Sequence, residues 1–245
     1  MKVVGVIPAR YSSIRLEGKP LAEIGGKPMI QHVYERAGQS KLLSDLLVAT
    51  DDERIHKAVL AFGGQSRMTA REHPSGTDRI AEVAETLDAE VVVNIQGDEP
   101  FISPKVIDQL VQPFTVDPDL EMSTLARAID DEPALSDPNV VKVVFDHLGR
   151  AMYFSRSLIP YPRRAEEHRA YEHIGLYAYR KSFLVEYARM PPSPLERTEA
   201  LEQLRALENG RTIRVVVTEH HHGLSVDTAE DLARARELFL SDGTS

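Results

Sequence analysis

The chain has 245 residues, 42% hydrophobic and 27% charged, with a formal net charge of -9. That balance fits a folded globular protein with a sizeable core, and the acidic surplus argues against a nucleic-acid partner held by phosphate neutralisation. The absence of cysteine excludes disulfides, thiolate catalysis and Cys-ligated zinc; with no apolar run near the ~18 residues of a membrane span and no charged leader before the first strand, a cytoplasmic protein without a membrane partner is expected.

Val3-Val4-Gly5-Val6-Ile7 reads as a buried strand. A helix is predicted over 28–38 after the Gly25-Gly26 turn, then a strand over 46–49. Thr50-Asp51-Asp52-Glu53 supplies a cap and an acidic first turn for a helix to residue 62. A short strand follows over 65–68, a helix from Ser75-Gly76-Thr77-Asp78 to about residue 87, and a strand over 90–95. Ser103-Pro104 opens the next helix. Strand and helix thus alternate, which calls for a parallel sheet with helices on both faces. The middle of the chain reads differently, with strands over 122–128, 140–145 and 151–154 separated by turns and suggesting hairpins or a mixed extension. Residues 156–170 lack periodicity and read as a loop. A strand over 174–179, a capped helix from Ser193 to Leu207, a strand over 213–218 and a helix over 228–240 complete the chain. One domain, 1–245, is expected, with an inserted mixed lobe over roughly 122–190.

Four sets of residues could carry chemistry. Arg10, Arg15 and Lys19 fall in one loop at the carboxyl end of the first strand, the edge where open α/β sheets bind ligands. Arg forks onto two oxygens and Lys acts as a point charge, so a polyphosphate suits this loop; the bland alternative is a solvated surface loop. It is not a Walker A loop, because Glu17-Gly18-Lys19-Pro20 lacks the Ser or Thr after Lys. Asp98, after Asn94-Ile95-Gln96-Gly97, stands at the end of an apolar strand and suits Mg²⁺, which takes one or two protein carboxylates; a plain turn is its alternative. Thr228 and Asp231 read as a capping box, which leaves Asp227 outside it and able to bind a metal. Arg156, His173, Tyr177, Glu202 and Gln203 are polar residues whose types fit either a binding site or ordinary packing and solvation.

Ile7-Pro8-Ala9-Arg10-Tyr11, Leu16-Glu17-Gly18-Lys19-Pro20-Leu21, Gly25-Gly26-Lys27-Pro28-Met29-Ile30, Ser75-Gly76-Thr77-Asp78-Arg79, Asn94-Ile95-Gln96-Gly97-Asp98-Glu99-Pro100, Tyr153-Phe154-Ser155-Arg156, His173-Ile174-Gly175-Leu176-Tyr177, Leu201-Glu202-Gln203 and Val226-Asp227-Thr228 occur in this order. Their joint order and spacing resemble the 3-deoxy-manno-octulosonate (Kdo) cytidylyltransferase family over nearly the whole length. The resemblance implies a Rossmann-like nucleotide-diphospho-sugar transferase fold, CTP and Kdo as substrates, Mg²⁺ as cofactor, and a homodimer joined through the central lobe. It also implies site roles. Pro8, Ala9, Arg10, Ser13 and Lys19 would hold CTP, with Arg10 and Lys19 on the phosphates; Ser75, Thr77 and Arg79 would line the nucleotide pocket. Gln96 would stand between nucleotide and sugar, Asp98 and Asp227 would bind the metal, and Arg156, His173, Tyr177, Glu202 and Gln203 would bind the sugar acid. Three departures from the family pattern stand out, one of them a short loop over 156–170, where substrate closure is expected to differ. Glu17 replaces a frequent Pro and is expected to face solvent; Gly223-Leu224-Ser225 replaces a frequent Gly-Thr-Gly. Other sugar nucleotidyltransferases, a GT-A-type glycosyltransferase and a non-catalytic nucleotide-binding module are the competing classes. The glycosyltransferase lacks its D-x-D signature in Gly97-Asp98-Glu99-Pro100.

Overall fold

The computed structural model describes residues 1–12, 15–220 and 224–242. In chain order the elements begin with β1 (Val3–Ala9), a 3-10 turn (Lys19–Leu21), β2 (Glu23–Ile24), β3 (Lys27–Pro28), α1 (Met29–Ala37), β4 (Asp45–Thr50) and α2 (Glu53–Ala61). β5 (Ser66–Met68), α3 (Gly76–Glu85), β6 (Val91–Asn94), α4 (Pro104–Val111), β7 (Met122–Ala128), α5 (Glu132–Ser136) and β8 (Lys142–Phe145) follow. The remainder is β9 (Ala151–Ser155), β10 (Tyr171–Arg180), α6 (Lys181–Arg189), α7 (Pro194–Glu199), α8 (Leu204–Glu208), β11 (Ile213–Val217) and α9 (Ala229–Asp242). The chain divides into two compact units, Met1–Asp108 with His220–Ser245, and Gln109–Glu219. The lobe expected over 122–190 falls inside the second unit, which also takes in α7, α8 and β11.

In the first unit β6, β1, β4 and β5 lie side by side and parallel. Helical crossovers dictate this arrangement, because a parallel neighbour cannot be reached through a tight turn. Every residue of β6 is buried, as are all but one of β1, the pattern of strands covered on both faces. The helices bury one stripe each: Met29, Ile30, Val33 and Ala37 of α1, Ile55 and Val59 of α2, and Ile80, Val83 and Ala84 of α3. α9 packs Leu232 and Ala235 with Val226 against Ile24 and Met29. Burial of each such large aliphatic side chain stabilises the fold by about 1.5–3 kcal/mol.

In the second unit β7 is flanked by β11, parallel to it, and by β10, antiparallel. β8 pairs antiparallel with β10 and with β9. β10 carries a bulge: Ile174 faces Leu125 but Tyr177 faces Thr124, the next residue back along β7. Gly175 and Leu176 are the extra residues, and they bend the strand.

The sequence pattern announces neither α5 nor α6. α6 starts directly at the end of β10, and its N-cap, Arg180, makes no side-chain cap bond, so no capping residue marks the switch. α5 is a single short turn. The helix expected from Ser193 to Leu207 is two helices, α7 and α8, broken at Ala200, whose φ is 52°. Its carbonyl and that of Glu199 are held from outside the helix by Arg156, contacts that no local propensity contains.

Candidate active site

β1 ends at Ala9, and the next residue, Arg10, donates from Nη2 to the Ser75 carbonyl at 2.7 Å. Ser75 caps α3: its hydroxyl accepts from the Asp78 amide, and the Asp78 carboxylate accepts from the Ser75 amide. The reciprocal box fixes the start of a ten-residue helix, with the guanidinium of Arg10 against it. A cleft of about 260 Å³ opens there, lined among others by Pro8, Ala9, Arg10, Lys19, Gln96 and Asp98. Of α3, Gly76 lines it. Amides of a helix start and two flexible cations facing one cleft make an anion site.

Lys19 enters from the 3-10 turn, which follows Gly18 at φ 68°. A Cβ on Gly18 would also come within 3.1 Å of the Tyr11 ring, so both the backbone conformation and the packing require glycine. Glu17 is exposed, as expected. The Lys19 ammonium donates to Asp98 Oδ2 at 2.8 Å and Asp227 Oδ1 at 3.1 Å. Burial alone would lower the Lys19 ammonium; the charges and hydrogen bonds of Asp98 and Asp227 outweigh it and hold the group above an ordinary lysine. Arg15, a loop cation assigned no role at the metal pair, also reaches Asp227, at 3.0 Å.

Two aspartates far apart in sequence meet here for a local reason. The Val226 amide donates to the Asp98 carbonyl at 2.9 Å, and the Val226 side chain is wholly buried beside α9. Thr228 and Asp231 bond reciprocally as a capping box, which leaves the Asp227 carboxylate directed to Lys19 and Arg15. On the other side, a Cβ on Gly97 would lie 3.0 Å from the Pro8 carbonyl, so glycine there lets the Asp98 loop press against the end of β1. Among the described residues no cluster of three or more His, Cys, Asp or Glu could hold a metal ion. Two carboxylate oxygens converging within 3.1 Å of one cationic nitrogen are nonetheless the donor set Mg²⁺ uses, since phosphates and water complete its shell.

Arg79 takes a different place. It is wholly buried, 3.4 Å from Asp51, and bonded to Thr69 and to the Ala70 carbonyl at 3.3 Å. Neither it, Thr77 nor Ser75 is among the residues lining the cleft. Ser13 lies outside the described residues.

The residues expected to bind a sugar acid lie in the second unit. His173 Nε2 sits 3.0 Å from the Thr124 hydroxyl, and its ring meets Phe154 edge-on at 4.9 Å and Tyr177 at 5.5 Å. Residues four apart in a regular strand are separated by about 13 Å; the bulge brings these two rings together. Burial pushes the His173 imidazole down to about 3, which makes it neutral at pH 7, and burial raises the Tyr177 phenol well above its ordinary value. Both side chains still keep part of their surface exposed. Arg156 donates from Nε to the Glu199 carbonyl at 2.7 Å, from Nη1 to Pro138 at 2.9 Å and from Nη2 to Ala200 at 3.3 Å. Glu202 and Gln203 follow the break at Ala200. Gln203 is buried, and its Nε2 finds no hydrogen-bond partner among the described residues.

Residues 4–213 match the cytidylyltransferase family model. A 3-deoxy-manno-octulosonate cytidylyltransferase of Solibacter usitatus is 55% identical, over 97% of this chain and 94% of that protein. One of Pelobacter propionicus is 52% identical, over 98% of each. The chain belongs to the 3-deoxy-manno-octulosonate cytidylyltransferase family. A solved CMP:2-keto-3-deoxy-manno-octonic acid synthetase complexed with CTP superposes with a TM-score of 0.95 at 47% identity, covering 99% of this chain and all of that one. A 4-diphosphocytidyl-2C-methyl-D-erythritol synthase from Anaerococcus prevotii shares the fold alone, at 16% identity and a TM-score of 0.64, over 98% of each chain.

Within this cytidylyltransferase, the structure gathers Arg10, Lys19, Gln96, Asp98 and Asp227 around one cleft and its rim. Sequence reasoning passed over Arg15 at Asp227, Glu199, which accepts from Ser155 Oγ and the Arg156 amide, and Lys142. A visible signal existed for the last: a lysine inside Val140-Val141-Lys142-Val143-Val144 is a charge in an apolar strand.

Proposed function

We propose that the protein transfers CMP from CTP to Kdo and releases diphosphate. Membership of the cytidylyltransferase family supports the reaction. The observation that carries the assignment of residues is the meeting of Asp98 and Asp227 at Lys19 on the rim of the Arg10 cleft. Phosphoryl-type displacement needs positioning and charge neutralisation more than covalent help. The C2 hydroxyl of Kdo attacks the α-phosphorus and gives its proton to solvent, while the P–O bond to the α–β bridging oxygen breaks and diphosphate leaves. Arg10 and Lys19 bind phosphate oxygens and stabilise the charge that builds on them. Gly76, at the start of α3, brings backbone amides to the same oxygens. Asp98 and Asp227 are the residues that would hold Mg²⁺, which when bound neutralises phosphate charge and acidifies the attacking hydroxyl.

Arg156 has five N–H donors, three of them committed to carbonyls, and the remaining pair suits the sugar carboxylate. The neutral His173, Tyr177, Glu202 and the unsatisfied amide of Gln203 suit its hydroxyls. A buried donor without an acceptor costs stability, so Gln203 supports a polar ligand at this place. No helix among the described residues is long and apolar enough to cross a membrane, and we place the enzyme in the cytoplasm as a homodimer supplying activated Kdo for lipopolysaccharide.

The test is diphosphate release from CTP and Mg²⁺ with and without Kdo. Release that requires all three components is expected. Release independent of Kdo, or none with Kdo present, rejects the reading.

A further inference from the structure

Lys142 lies on β8 with its side chain wholly buried. Its ammonium donates to the carbonyls of Asp137 at 2.7 Å, Val140 at 2.7 Å and Arg156 at 3.0 Å. An ammonium has three donors, so all are used, and all on main-chain oxygens. Burial lowers this lysine from its ordinary value; the charges of Asp137 and Glu172 act against that. A buried cation is a poor device for stability alone, because an apolar side chain of the same volume avoids the desolvation penalty. What the lysine gains here is geometry. Arg156, whose carbonyl it holds, reaches back to Pro138 in the same turn and across to Glu199 and Ala200. Two cations therefore tie three backbone segments together. The last of these runs, through the left-handed Ala200, directly into Glu202 and Gln203. The carbonyl of Val141, next to Lys142, accepts the His173 amide at 2.8 Å.

We propose that Lys142 is a positioning residue for the sugar-acid site, setting the place of Arg156, His173 and the 199–203 segment through main-chain carbonyls without touching the substrate. The inference rests on the assignment of those side chains to Kdo. Lys142→Met keeps length and removes the donors. In the full-length enzyme it should raise the Michaelis constant for Kdo about tenfold or more, the scale of one or two lost hydrogen bonds. The constant for CTP should stay within about twofold. Val143→Ala, a buried neighbour on the same strand, is the control: it should lower the melting temperature and leave both constants in place. If Lys142→Met does not fold, Lys142→Gln, which keeps two donors, carries the same comparison with a smaller shift. An unchanged constant for Kdo, an equal rise for CTP, or an equal effect of Val143→Ala overturns the proposal. Wild-type enzyme without Kdo-dependent release instead rejects the underlying assignment, so the two failures are told apart.

Discussion

Lys19 holds two carboxylates with one ammonium, and the chemistry proposed for this site passes through that cluster. Removing a single charge-stabilising group at a transferring phosphate typically costs about 10²–10³ in rate. Lys19→Ala and Asp98→Asn are therefore expected to lose turnover on that scale while keeping the wild-type melting temperature to within a few degrees. Near-normal turnover in either purified variant sinks the assignment. His173 gives a second prediction, in pH. An imidazole titrates near 6.5 unfolded, whereas burial takes this one down to about 3. The unfolded chain binds more protons between those values, so this contribution to stability is complete above about pH 6.5 and is lost as pH falls towards 3. The slope is at most about 1.4 kcal/mol per pH unit. Melting curves at about pH 7 and about pH 5 should show a smaller gap for His173→Gln than for the wild type; an unchanged gap counts against an imidazole held neutral. Asp98 was legible beforehand because it ends an apolar strand, and Asp227 because the capping box beside it already had its own carboxylate. The partners of Arg79 and Arg156 were not, since their acceptors come from other segments, between 9 and 44 residues away.

At the scale of elements, the alternating half of the chain was read with most boundaries within a residue or two, because unbroken valine runs and capped amphipathic segments report their own burial. The second unit was harder to read. The 193–207 segment has a start signal and no visible breaker, yet Ala200 adopts φ 52° and ψ 49°. Tertiary contacts explain it: Arg156 holds the carbonyls on either side of the turn, and Arg205 pairs with Glu196 of α7 at 2.5 Å. An L-residue in this conformation costs about 1–2 kcal/mol, and a β-branched one more. Ala200→Val should lower stability by at least about 1 kcal/mol and raise the constant for Kdo, whereas Ala200→Gly should leave folding nearly unchanged because glycine accepts positive φ. Equal melting temperatures for the Val and Gly variants would mean that the left-handed turn is not what sets the 199–203 segment.

For the whole molecule, the acidic surplus of -9 keeps the chain soluble, so apolar surface left exposed calls for a reason. In the second unit Leu148, Met152 and Val217 are exposed at 51%, 67% and 45%. They stand on segments that adjoin one another: the Val215 amide donates to the Gly149 carbonyl at 2.7 Å, and Arg150 bridges Arg214. Apolar side chains grouped in this way mark an association surface more often than a solvated one. A second copy of the chain is the occupant that the proposed homodimer calls for. Met152→Asp places a charge in that patch without disturbing a buried side chain. A charge buried without a partner at an interface opposes association strongly, so sedimentation should shift from twice the chain mass to the chain mass, with the melting temperature becoming independent of protein concentration. A wild-type protein that sediments as a monomer, or a Met152→Asp variant that remains dimeric at the same concentration, removes this surface from the assembly.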